Sequence, residues 1–145
     1  MTCLDDTHYQ QHVLPYYRTF ESRLGYTTLL GRTRHFGWYE SADPPWRFSA
    51  GMRRMEIVAA RKLDLPPGSA VLNAGCGVGD VARTIAQASG VHVTGMDGIE
   101  SDIAIARRRS ARAGEPGART QFLKANDHTL PFADTSFDGV YTMES

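Results

Sequence analysis

The sequence predicts an α/β protein with a doubly wound parallel sheet, and three observations predict it. Ala70, Val71 and Leu72 form an apolar run that enters a turn containing Gly75, Gly77 and Gly79, as a buried strand does when it feeds a binding loop and a helix. From residue 70 onward, short apolar runs alternate with segments of helical period, which implies parallel strands joined by right-handed crossovers and covered by helices on both faces. At 145 residues and 41% hydrophobic content, the chain has the length and composition of one compact domain.

The elements follow in order. Ten of the fourteen aromatic residues precede residue 50, so residues 1–65 form a helical, aromatic-rich cap segment and residues 66–145 the sheet domain. Gly25, Gly31, Gly37 and Asp43-Pro44-Pro45 break the first part into short helices and loops. Its aromatics either line an apolar substrate pocket, with Tyr16, Tyr17 and Trp38 as candidates, or pack the segment onto the main domain. Met52, Met55, Val58, Ala59 and Leu63 recur at spacings of three and four, which predicts a helix over 46–63. Leu65-Pro66-Pro67-Gly68 ends it. The sheet domain then reads strand 70–73, helix 79–89, strand 91–96, helix 100–113, strand 119–124 and, after a turn-rich stretch, strand 137–142.

Composition excludes several classes. Sixteen basic and sixteen acidic residues balance, so no net field draws nucleic acid. Arg107, Arg108, Arg109 and Arg112 read as the solvated end of a helix, where cations favour the macrodipole. Cys3 and Cys76 give neither a disulfide framework nor metal spacing, and the five histidines (His8, His12, His35, His92, His128) give no metal spacing either. No apolar stretch approaches the roughly 20 residues that span a bilayer, and the acidic N-terminus is unlike a signal peptide. A cytoplasmic protein is expected.

Four segments converge at the carboxyl ends of such strands, where these sheets bind ligands. The first is the turn at 73–79, whose G-x-G-x-G spacing departs from the dinucleotide fingerprint G-x-G-x-x-G. The second is Asp97 with Gly98, about twenty residues on, where a carboxylate can accept two hydrogen bonds from a ribose diol. The third is Lys124-Ala125-Asn126-Asp127-His128, placed to meet a base amino group. The fourth is 130–145, ending in a strand that reaches the reacting group. Asp97 serves a nicotinamide cofactor equally well, which leaves an oxidoreductase as a weaker alternative.

In order and spacing these segments resemble the class I S-adenosylmethionine-dependent methyltransferases, through "VLNAGCGVGD", "VTGMD" and "LPFADTSFDGVYTMES". With the upstream "RHFGWYE", they look like the branch acting on sterols, tocopherols and other small hydrophobic acceptors. The resemblance implies a Rossmann-like sheet and methyl transfer from S-adenosyl-L-methionine to a small, lipid-like acceptor. It implies that Asn73, Gly75, Cys76, Gly77 and Gly79 meet the methionyl part, Asp97 and Gly98 the ribose, and Asn126 and Asp127 the adenine. Glu144 is the candidate general base. Asn73 and Asn126 stand where the family pattern usually has an acid, which weakens the cofactor's hold. The family's sheet has seven strands. Four in the order 3-2-1-4 would leave strand 137–142 at an edge, so the expectation is a fragment of a longer enzyme, with reduced or no activity, or a non-catalytic product that self-associates through that strand.

Overall fold

The computed structural model of the chain describes Pro15 and residues 35–40, 48–125 and 129–143. Helix α1 (Phe48–Leu63) leads into β1 (Ala70–Ala74), α2 (Asp80–Ser89), β2 (His92–Asp97), α3 (Glu100–Ser110), the short α4 (Glu115–Ala118), β3 (Thr120–Lys124) and β4 (Gly139–Tyr141). The four strands form one parallel sheet in the order β3-β2-β1-β4, as the alternation of elements predicts. Val71 lies beside Val93 and Gly139, and Asn73 beside Gly95 and Tyr141.

Two boundaries differ from the sequence reading, each for a local reason. The helix expected over 100–113 stops at Ser110, and Gly114, at φ 65°, separates it from α4, whose Pro116 is tolerated in the first turn. The strand expected over 137–142 is reduced to three residues. Asp138 ends it on the N-terminal side: its N–H donates to Ala70 O while its carboxylate accepts from Ala70 N–H, both at 2.8 Å.

Among the described residues the helices lie on one face of the sheet. Progress from β1 to β2 to β3 runs one way across the sheet, so right-handed crossovers put α2 and α3 on the same face. Val71, Val93 and Phe122 pack there with Ala82, Ile85 and Ala86 of α2, Ile103 and Ala106 of α3 and Ala60 of α1. The described part of the return to β4, residues 129–138, contains no helix. On that second face Gln121 Nε2 donates to Thr94 Oγ1 at 2.8 Å, and Val140 is 61% exposed.

Helix α1 also fixes a direction that matters for the site. Leu63 and Leu65, at and beyond its C-terminal end, lie against Gly139, the first residue of β4. Glu56, two turns earlier, is within electrostatic range of Tyr141 at the other end of β4, so the helix runs antiparallel to the strands and its Phe48 end, about 24 Å from Leu63, points toward their carboxyl ends.

Candidate functional site

Between β1 and α2 the chain reverses through Gly75, Gly77 and Gly79, all at positive φ (73°, 51° and 76°). The three do different work. A Cβ on Gly79 would lie 2.6 Å from the Phe122 ring and 3.0 Å from Ala106 Cβ, whereas one on Gly77 would meet nothing within 4 Å. Packing thus requires Gly79, and Gly77 leaves open space in which a ligand can lie against the backbone.

The loop's donors are already committed. Gly75 N–H and Cys76 N–H both donate to Met96 O at 2.9 Å, Gly79 N–H to Cys76 O at 3.0 Å, and Gly77 N–H to Asp97 Oδ2 at 2.8 Å. A phosphate cradle needs such groups turned toward the ligand. This arrangement disfavours a dinucleotide pyrophosphate, and with it the nicotinamide reading, and suits a nucleoside without phosphate.

Asp97 closes β2 and ties three elements together, because its other oxygen accepts from Ile99 N–H at 2.9 Å at the start of α3. A carboxylate oxygen accepts more than one hydrogen bond, so a vicinal diol can be added to these two contacts. Gly98 follows it, half-buried. Asn73 is buried in β1, and Cys76 turns its thiol into the core, with Sγ 3.7 Å from Gly77 O. Burial first, and then the charge of Asp97, pushes that thiol far above its ordinary range, so it stays protonated and unreactive. The phenol of Tyr141 is likewise raised, mainly by burial, and its Oη has no hydrogen-bond partner among the described residues.

Of the other expected site residues, Trp38 is described and half-exposed, while Tyr16, Tyr17, Asn126, Asp127 and Glu144 lie outside the described residues. Trp38 N–H donates to Gly51 O at 2.9 Å, in the first turn of α1. Phe36, Trp38, Tyr39 and Phe48 are all exposed, and Trp38 and Tyr39 bond to Gly51 O and Phe48 O, so the Phe48 end of α1 carries an exposed aromatic rim.

Several residues that shape this region are not evident in the sequence. Phe122 demands Gly79 and also lies against Gly95, and its only sequence signal was apolarity within a strand. Glu56 reads as a surface residue of an amphipathic helix, yet it is buried beside His35, also buried, with Nε2 3.3 Å from Oε1. The arginine cluster is only partly solvated: Arg107 Nε donates to Phe122 O at 2.9 Å and Arg109 to Asp80 at 2.7 Å, while Arg108 and Arg112 are exposed. Among the described residues no group of three metal-ligating side chains occurs, and no helix is long and apolar enough to cross a membrane.

A parallel sheet of this order, whose first loop holds no phosphate cradle and whose second strand presents a carboxylate to that loop, defines a class I nucleoside-cofactor fold of the S-adenosylmethionine type. Comparison with known proteins agrees. The methyltransferase domain family matches residues 71–145, just over half of the chain. An S-adenosyl-L-methionine-dependent Diels-Alderase, iccD, of Talaromyces variabilis is 38% identical over 138 residues, covering 94% of this chain and 47% of the relative. Cycloartenol-C-24-methyltransferase 1 of Oryza sativa subsp. japonica is 35% identical over 115 residues, covering 76% of this chain and 33% of the relative. Among solved structures, geranyl diphosphate methyltransferase in complex with GPP and sinefungin superposes with a TM-score of 0.65 at 22% identity, over 92% of this chain and 55% of that one. The chain spans about half the length of the first relative and a third of the second. It belongs to the class I S-adenosylmethionine-dependent methyltransferase family, whose cofactor is S-adenosylmethionine.

Proposed function

We propose that the chain binds S-adenosylmethionine over Gly77 and Asp97 and uses it to methylate a small, hydrophobic acceptor. The open space at Gly77 beside a carboxylate fixed by two backbone donors carries this reading. Asp97 holds the ribose, the backbone at 75–79 lies under the methionyl part, and Asn126 and Asp127 meet the adenine. The cofactor, when bound, supplies an electrophilic methyl group. The chain's own task is to bring the acceptor in line with it, since proximity and orientation dominate such transfers. Glu144, three residues beyond β4 in the sequence, is the candidate base for acceptors that must lose a proton. The aromatic rim of Phe36, Trp38, Tyr39 and Phe48 supports an apolar acceptor, and the buried free thiol of Cys76 suits a reducing cytoplasm.

A second reading has a specific support: iccD, the relative matched over 94% of this chain, is named as a Diels-Alderase rather than a methyltransferase. On that reading the bound cofactor is kept, and an apolar polyene is cyclised without gain or loss of atoms. Calorimetry with S-adenosylhomocysteine tests the binding step. No heat at millimolar ligand would overturn cofactor binding by this chain. Mass spectrometry of an incubated apolar extract separates the two reactions, because methyl transfer adds one CH₂ to the product and releases S-adenosylhomocysteine, whereas cyclisation leaves product mass and cofactor unchanged. Strand β4 also supports self-association, since it exposes Val140 and has β1 as its one ladder partner among the described strands.

A further inference from the structure

Segment 35–40 meets α1 at an outer end and at an inner one. At the outer end Trp38 N–H donates to Gly51 O and Tyr39 Oη donates to Phe48 O at 3.4 Å. The Tyr39 ring rests on Gly51, where a Cβ would overlap it. At the inner end His35 meets Glu56, and the two side chains are 2% and 6% exposed. A buried pair of this kind is unfavourable unless both partners are satisfied. The second imidazole nitrogen is satisfied, because Nδ1 lies 2.9 Å from Phe36 O. A carbonyl oxygen only accepts, so Nδ1 carries the proton of that bond. These two bonds fix the plane of the His35 ring and the direction in which the chain leaves it, toward Phe36 and Trp38. Tyr141, within range of the Glu56 charge, lies in register with Asn73 of β1. The couple thus lies inward of the exposed rim.

We propose that Glu56, acting through His35, is the positioning residue that holds the aromatic rim at the cofactor loop, and thereby sets affinity for the apolar substrate but not for the cofactor. The inference rests on the reading of the rim as the substrate wall given above. Neither residue touches substrate or cofactor. The couple anchors the segment through buried side chains, whereas the Tyr39 Oη–Phe48 O bond at its other end is exposed and holds weakly.

Two titrations of the whole chain test it: S-adenosylhomocysteine by calorimetry and anilinonaphthalene sulfonate by fluorescence. The parent is compared with His35→Ala, Glu56→Gln and Trp38→Ala. His35 lies in a loop outside the core cluster, so its replacement leaves the sheet intact, which circular dichroism verifies. His35→Ala is expected to weaken the apolar probe about tenfold, as loss of one buried charged hydrogen bond implies, with cofactor affinity within about twofold of the parent. Glu56→Gln should retain probe affinity, because an amide can donate to or accept from Nε2. Trp38→Ala should lower it with the couple intact, which identifies the rim's share of the signal. Unchanged probe affinity in His35→Ala overturns the proposal. So does a parallel fall in both affinities, which would mark the couple as general support, and so does a loss in Glu56→Gln equal to that in His35→Ala. Absence of cofactor heat in the parent would sink the cofactor reading alone, since the probe arm still decides on the couple.

Discussion

Gly77 and Gly79 are equivalent letters in the motif and differ in what surrounds them. Alanine at Gly77 should cost about 1–2 kcal/mol, the ordinary penalty of positive φ, and should abolish measurable cofactor binding because the new methyl group occupies the ligand's space. Alanine at Gly79 adds collision with Phe122 to the same backbone penalty and should cost about 3 kcal/mol or more. Urea unfolding of the two variants distinguishes them. Comparable losses in both would refute the division of roles. A second expectation concerns pH. The Cys76 thiol and Tyr141 phenol are both held neutral by burial, with folded values above their ordinary 9.0 and 10.0. Their contribution to stability is therefore complete below about pH 8.5 and declines as pH rises further, because only the unfolded chain ionises there. The urea midpoint should fall across the alkaline range, and Cys76→Ala should fall less steeply over the thiol's part of it.

At the scale of elements, the two edges of the sheet are treated differently. Strand β3 is guarded by Arg107, whose Nε takes the Phe122 carbonyl, and by α4, while β4 carries exposed Val140 and no comparable guard among the described residues. Association of the chain through its β4 edge should appear in sedimentation velocity as a concentration-dependent shift. Val140→Lys, which places charge on that edge strand, should suppress it, whereas a shift that persists in the variant would point to another surface. Element type and order were legible because each strand and helix carries its own period, from Val71 and Leu72 to the spacing of Met52, Met55 and Leu63. The short α4 was not legible, since it depends on the positive φ of Gly114 and on Pro116 falling within a first turn. The His35–Glu56 couple joins a loop to a helix across 21 residues, and nothing in either local pattern marks Glu56 as buried. The loop motif and Asp97 were readable because they lie at strand ends that periodicity alone locates. The division of labour among the glycines was not, because it is decided by a ring from β3.

For the molecule as a whole, three of the described helices share one face of the sheet, and the candidate site lies where the loop after β1 meets the end of β2. Ligand binding at such a junction should stabilise the fold, because the contacts that define the site also hold elements together: Asp97 joins the glycine loop to α3, and the Gly75 and Cys76 N–H groups join the loop to β2. A cofactor that binds only the folded chain adds about 2.7 kcal/mol at a hundredfold excess over its Kd. For a chain of this size that corresponds to a rise in melting temperature of roughly 10 °C. S-adenosylhomocysteine at saturation should produce it. Nucleotides carrying a pyrophosphate should not, because the loop's donors are committed within the fold. Asp97→Asn keeps an oxygen that can accept but loses the charge, and its amide nitrogen would face one of the two backbone N–H groups. It should therefore lower the melting temperature without ligand and also reduce the cofactor-induced rise. If Asp97→Asn lost stability yet kept the full cofactor-induced rise, Asp97 would be a structural clamp only, and the ribose would have to be held elsewhere.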